Sequence, residues 1–170
     1  MKSLDSLLNP LLKFLDQYYA KLPALPKGGK DFLVKAAPWY AVIFGVLGVI
    51  GVVLGLLATV AGTAAVGMGA AVSGYMPAYG RLAGGMAFVW VALLFALVVS
   101  VLELLAFSPL KALKVKGWNL LLYTFLLGFL SALLSNVFYL GAFSVMGIAW
   151  SLLWFLVDYY LLYQVKSYYK

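Results

Sequence analysis

Residues 36–80, AAPWYAVIFGVLGVIGVVLGLLATVAGTAAVGMGAAVSGYMPAYG, carry no charged side chain. The flanking charges are Lys35 and Arg81. A bilayer crossing needs about 20 apolar residues, so this run is longer than one crossing. Its first part, about 38–60, is rich in Val, Leu, Ile and Gly and is predicted to be the first transmembrane helix. The remainder, up to Gly80, is rich in Gly and Ala and only weakly hydrophobic. It admits three readings: an extracytoplasmic loop, a re-entrant segment, or a continuation of the helix. A fifth crossing fits by length, but it places the lysines of residues 111–116 outside, against the positive-inside rule.

The whole chain is consistent with that start. Of its 170 residues, 66% are hydrophobic and 10% charged, far from the balance of a soluble domain. Lys and Arg outnumber Asp and Glu by 12 to 5, a net charge of +7. The basic residues sit at the ends of apolar segments. That placement points to membrane topology and anionic lipid, not to nucleic acid. There is no Cys and no His. Disulfides, thiol chemistry, Cys/His zinc sites and imidazole acid–base catalysis are therefore excluded. Lys2, Asp5 and Lys13 interrupt any signal-peptide core in the first fifteen residues, so the first crossing is expected to direct insertion.

Three more crossings follow, at about 84–107, 117–135 and 142–164. The expected fold is all-α, a polytopic four-transmembrane-helix bundle with an N-terminal amphipathic helix. Residues 1–30 form the interfacial part and 31–170 the bundle. In 1–22, Leu4, Leu8, Leu11, Leu15, Tyr18 and Leu22 alternate at spacings of four and three, which is one helical face. Asn9-Pro10 supplies a cap and a first-turn proline. The helix is expected on the membrane surface and dispensable for holding the bundle. PALPKGGK, 23–30, reads as a linker, and Asp31 as the cap of a short helix ending before Pro38.

The lysines fix the expected orientation. Six lie before the first crossing, three between the second and third, and Lys166 and Lys170 in the tail; only Arg81 lies on the other side. Both termini are thus expected in the cytoplasm of a cell-membrane protein, with Trp39 and Trp118 as interface anchors.

Small and weakly polar residues recur on each crossing at helical spacing. They include Gly45, Gly48, Gly51 and Gly55 on the first, Gly128 and Ser131 on the third, and Gly147 and Ser151 on the fourth. Such stripes allow close helix approach and interhelical hydrogen bonds in lipid. A packed bundle is the simplest account, and a glycine-lined substrate path the sharper one.

Glu103 and Asp158 are the acidic residues inside crossings. Each precedes a lysine by eight residues, Lys111 and Lys166, so they are expected at one depth. An ionisable group there is a functional candidate, either as a proton- or cation-binding pair or as ion-pair partners of Lys35, Lys111, Lys114 or Lys116. No nucleophile–base pair, phosphate loop, metal cluster or cofactor motif accompanies them. The expected function is non-enzymatic: a scaffold, assembly factor or subunit of a membrane complex. The alternative is a small channel or a proton- or cation-coupled transporter using the two carboxylates. The expected partners are the lipid bilayer and other membrane subunits or a homo-oligomer, with no nucleic acid and no cofactor.

Overall fold

A computed structural model describes residue 10 and residues 13–73, 76–138 and 145–170. The sequence expectations for residues 1–9 and 11–12, and for the part of the fourth crossing before Val145, lie outside these. Helix α1 covers 13–19. It is followed by α2 (Lys27–Ser73), α3 (Met76–Lys111), α4 (Val115–Phe138) and α5 (Val145–Val165), and by a 3₁₀ turn at Lys166–Tyr168. No strand occurs among the described residues. Four helices are long and apolar enough to cross a membrane, with spans Lys27–Ala65, Val89–Lys111, Val115–Ser135 and Val145–Tyr168.

α2 starts earlier and ends later than the segment 38–60. Pro26 sets its start: the Gly29 and Lys30 N–H groups donate to the Pro26 carbonyl at 2.9 and 3.2 Å. Gly28 and Gly29 therefore sit in the first turn, and the linker shrinks to 23–26. Pro38 lies inside α2. A proline removes one N–H, from the bond to residue i−4, and the helix runs through it. At its far end α2 takes up much of the Gly/Ala-rich segment, so the helical-continuation reading holds as far as Ser73.

Consecutive helices pack as antiparallel neighbours, while α2 and α5 touch only sparsely. Lengths are unequal. α2 has 47 residues and α3 has 36, against 24 and 21 for α4 and α5. At 1.5 Å per residue, α2 is about 70 Å long and α4 about 36 Å. The α2–α3 hairpin thus overshoots the α4–α5 pair on the side away from the described C-terminal residues.

The α2–α3 seam repeats every three or four residues through Ala41, Gly45, Gly48, Val52, Gly55 and Thr59. A β-carbon at Gly45 would lie 2.8 Å from Leu104 Cγ, and one at Gly55 would lie 2.6 Å from Leu93 Cδ2. One at Gly48 would collide with the Ser100 hydroxyl. These glycines let the backbones close up. Gly51 and Gly128 do not: nothing stands within 4 Å of a β-carbon at either. Their assignment to packing inside this chain is corrected, because both face outward. The stripe hydroxyls also act locally. Thr59 donates to Gly55 O, Ser100 to Ala96 O, Ser135 to Ser131 O, and Ser151 to Gly147 O and Ile148 O. Bonding one's own preceding turn satisfies a hydroxyl in apolar surroundings without a neighbouring helix.

The most densely buried cluster gathers Ala41, Ala106, Leu110, Trp118, Leu121, Tyr159, Leu162 and Tyr169. It lies where the start of α2, the α3–α4 turn and the end of α5 meet. Gly117 is needed there, since a β-carbon would come within 2.6 Å of the Leu110 backbone nitrogen. Leu113 adopts φ 52° in the same turn. Its carbonyl accepts from the Lys170 N–H at 2.9 Å, and the Val115 N–H donates to the Lys170 carbonyl at 3.1 Å.

Candidate carboxylate site

Glu103 lies on the α3 face that also buries Ser100, Ala106 and Leu110, and only 8% of its surface is exposed. Asp158 is half-buried on α5. Tyr40 of α2 stands close enough to both to feel their charge.

A cavity of about 160 Å³ opens between α2, α4 and α5 and is lined by Tyr40, Asp158, Ala37, Phe125 and Leu162. Glu103 is not on its wall. Among the described residues no lysine forms an ion pair with either carboxylate. The ion pair found among the described residues joins Lys166 to Asp16 at 2.8 Å. Lys111, one of the expected partners, instead places its ammonium 5.9 Å from the Phe107 ring centre. Among the described residues, no group of three or more His, Cys, Asp or Glu is arranged to hold a metal.

The chemistry-bearing side chains at the terminal end knit separate segments. Asp16 Oδ1 accepts from the Tyr159 hydroxyl at 2.7 Å, and its Oδ2 accepts from Lys166 Nζ at 2.8 Å. Tyr19 donates to Leu156 O at 2.9 Å. Gln164 accepts from the Leu25 N–H and donates to Pro23 O, at 3.3 and 3.4 Å. The 23–26 linker has no helical ladder of its own, and Gln164 supplies partners to its backbone. Sequence reasoning missed Tyr40, Tyr159 and Gln164. Each lies in an apolar helix whose pattern shows depth but not which segment, far away in sequence, comes alongside.

Tyr169 differs from these. Its hydroxyl is buried and has no hydrogen-bond partner among the described residues. Burial pushes its phenol above the ordinary value of 10.0, and burial raises Tyr19 in the same way. Below pH 10 both phenols are neutral whether the chain is folded or not, so they add no pH dependence. As pH rises further the unfolded chain loses its protons first, and stability falls until the folded phenols titrate. Tyr169→Phe is therefore expected to flatten the alkaline limb of a Tm-versus-pH curve. It is also expected to raise stability at neutral pH by about 1 kcal/mol, because an unpaired buried hydroxyl is removed. A lower Tm at neutral pH would show that the hydroxyl has a partner.

No protein family, curated protein or solved structure matches this chain.

Proposed function

We propose that the chain is a non-enzymatic integral membrane protein, a scaffold or subunit of a larger membrane assembly, with both termini in the cytoplasm. The observation that supports this reading most is the length of the α2–α3 hairpin. A hydrocarbon layer is about 30 Å thick. α4 and α5 match it, whereas α2, about 70 Å long, and α3, about 54 Å long, exceed it. Residues 61–88 hold Arg81 as their only charge. A nearly uncharged arm longer than the lipid layer favours a protein partner over water. α2 also presents Leu47, Leu54 and Leu57 outward, each more than half exposed, beside the open Gly51.

Cross-linking in native membranes through a single cysteine at Met68, a residue 66% exposed, tests this. The expected result is discrete products heavier than the 18.5 kDa chain, lost when the arm is shortened. A chain that stays monomeric in its own membrane overturns the proposal. The orientation is tested alongside: a cysteine at Ala112 is expected to label only from the cytoplasm, and one at Tyr79 only from outside.

A second reading, a proton- or cation-coupled path, is favoured by one observation. Glu103 is buried with no hydrogen bond or ion pair among the described residues, and a cavity reaches Asp158. Since no lysine would be left unpaired, Glu103→Gln and Asp158→Asn are expected to leave thermal stability unchanged or raised. A fall of about 3–5 kcal/mol, the effect of breaking a buried ion pair, would contradict this. Proton or cation flux into liposomes, present in the wild type and absent in either variant, would replace the scaffold reading with the transport one.

A further inference from the structure

From Gly45 to Gly55 α2 and α3 are tightly packed, but nearer the α2 start a groove of about 620 Å³ opens between them. Lys35 and Trp39 of α2 line one wall, and Phe107 and Lys111 of α3 the other. Tyr168 and Asp31 close the end.

The two walls repeat one arrangement. On α2 the aromatic follows the lysine by four residues, and on antiparallel α3 it precedes the lysine by four. Residues four apart share a face, and the rise between them is about 6 Å. The two lysines therefore leave their helices at one end of the groove and the two aromatics about 6 Å further along, with the Lys111 ammonium 5.9 Å from the Phe107 ring centre. The rings meet edge to face, with centres 6.1 Å apart. Trp39 is 62% exposed and opens the aromatic end to the outside of the bundle. Asp31 is the acidic residue in the lining, and its Oδ1 accepts from the Tyr168 hydroxyl at 2.8 Å. Two ammonium groups against one engaged carboxylate leave the groove positive.

We propose that this groove binds an anionic glycerophospholipid, with its phosphate between Lys35 and Lys111 and its acyl chains running over Trp39 and Phe107. A free anion would use the lysines but leave the aromatic end bare. A zwitterionic lipid would fit the apolar end but bring its own cation to the lysines. Basic pockets between membrane helices hold acidic headgroups in this manner. The inference rests on the membrane reading above and not on the scaffold role.

Trp39 is the reporter. The chain is reconstituted in vesicles of phosphatidylcholine with brominated phosphatidylglycerol as a minor component, or the reverse labelling. Its Trp39 signal is taken as the difference between wild type and Trp39→Phe. Quenching by brominated phosphatidylglycerol is expected at mole fractions where brominated phosphatidylcholine has little effect. Lys35→Gln with Lys111→Gln is expected to weaken that preference about 30-fold, and each single change about fivefold, since each lysine contributes one surface attraction. The Arg pair at the same positions is expected to keep it. Both lysines are exposed, so the single variants hold the test if the double variant folds poorly. Equal quenching by the two lipids overturns the proposal, as does a preference untouched by the lysine changes. Displacement by soluble glycerophosphate would mark a free-anion site and overturn it too. Absence of quenching by either lipid would instead count against the membrane reading itself.

Discussion

Trp118→Ala is expected to lower the unfolding free energy by about 3–5 kcal/mol, the range for deleting a large core aromatic. Trp118 is 5% exposed, and its indole N–H donates to Leu162 O at 3.0 Å. That carbonyl is in the last turn of α5, before the 3₁₀ turn at Lys166–Tyr168. The last four carbonyls of a helix have no partner within it, and Trp118 supplies one from α4. Lys166 Nζ also rests 5.1 Å from the Trp118 ring centre. Trp118→Phe keeps most of the ring and loses the hydrogen bond, so about 1 kcal/mol is expected. Thermal unfolding of both variants in one detergent separates the two contributions. If Ala and Phe cost the same, the ring's packing contributes little and Trp118 is the interface anchor that its position in sequence suggested.

The two tryptophans show how far the sequence can be read. Both precede long apolar runs and look alike as anchors. Trp39 does lie outward, whereas Trp118 is enclosed because Gly117 lets α4 approach the α3 backbone. Hydropathy depends on each segment alone, so the four long apolar helices were legible. Which face of each helix meets a neighbour depends on register between segments. Gly51 shows this: it is four residues before Gly55, yet the seam passes through Gly48, Val52 and Gly55, and Gly51 falls beside it with nothing within 4 Å of a β-carbon there. The carboxylates were legible as the acidic residues within long apolar helices. Tyr40, which stands near both, was not, because a tyrosine near the end of an apolar run ordinarily reads as an interface residue. The unforeseen length of α2 has a local origin. Pro38 and the Gly28-Gly29 pair read as breakers, but the glycines occupy a first turn, where few helical bonds depend on them, and Pro38 removes a single one.

Removing residues 1–22 is expected to destabilise the bundle by at least the loss of one core aromatic, about 3–5 kcal/mol. The stretch reads in sequence as a dispensable surface helix, but α1 packs against α5. Tyr19 is 7% exposed and belongs to the main core cluster. Its ring centre lies 5.2 Å from that of Tyr159. Asp16 accepts from Tyr159 and Lys166 together, so deletion leaves a buried phenol without its acceptor and a lysine without its counter-ion. Phe14, Tyr18 and Leu22 remain partly open along a groove between α1 and α5, which is where lipid contact with α1 is expected. A chain beginning at Pro23 keeps the Gln164 bonds to the linker and so isolates the contribution of α1. Its Tm in mild detergent should fall well below that of the intact chain, and Tyr19→Ala should account for most of the fall. Asp16→Asn supplies the smaller, electrostatic part: Lys166 is exposed, and an exposed ion pair is worth about 1 kcal/mol or less. An unchanged Tm for the shortened chain would return α1 to the membrane surface, with its contacts to α5 contributing nothing to the fold.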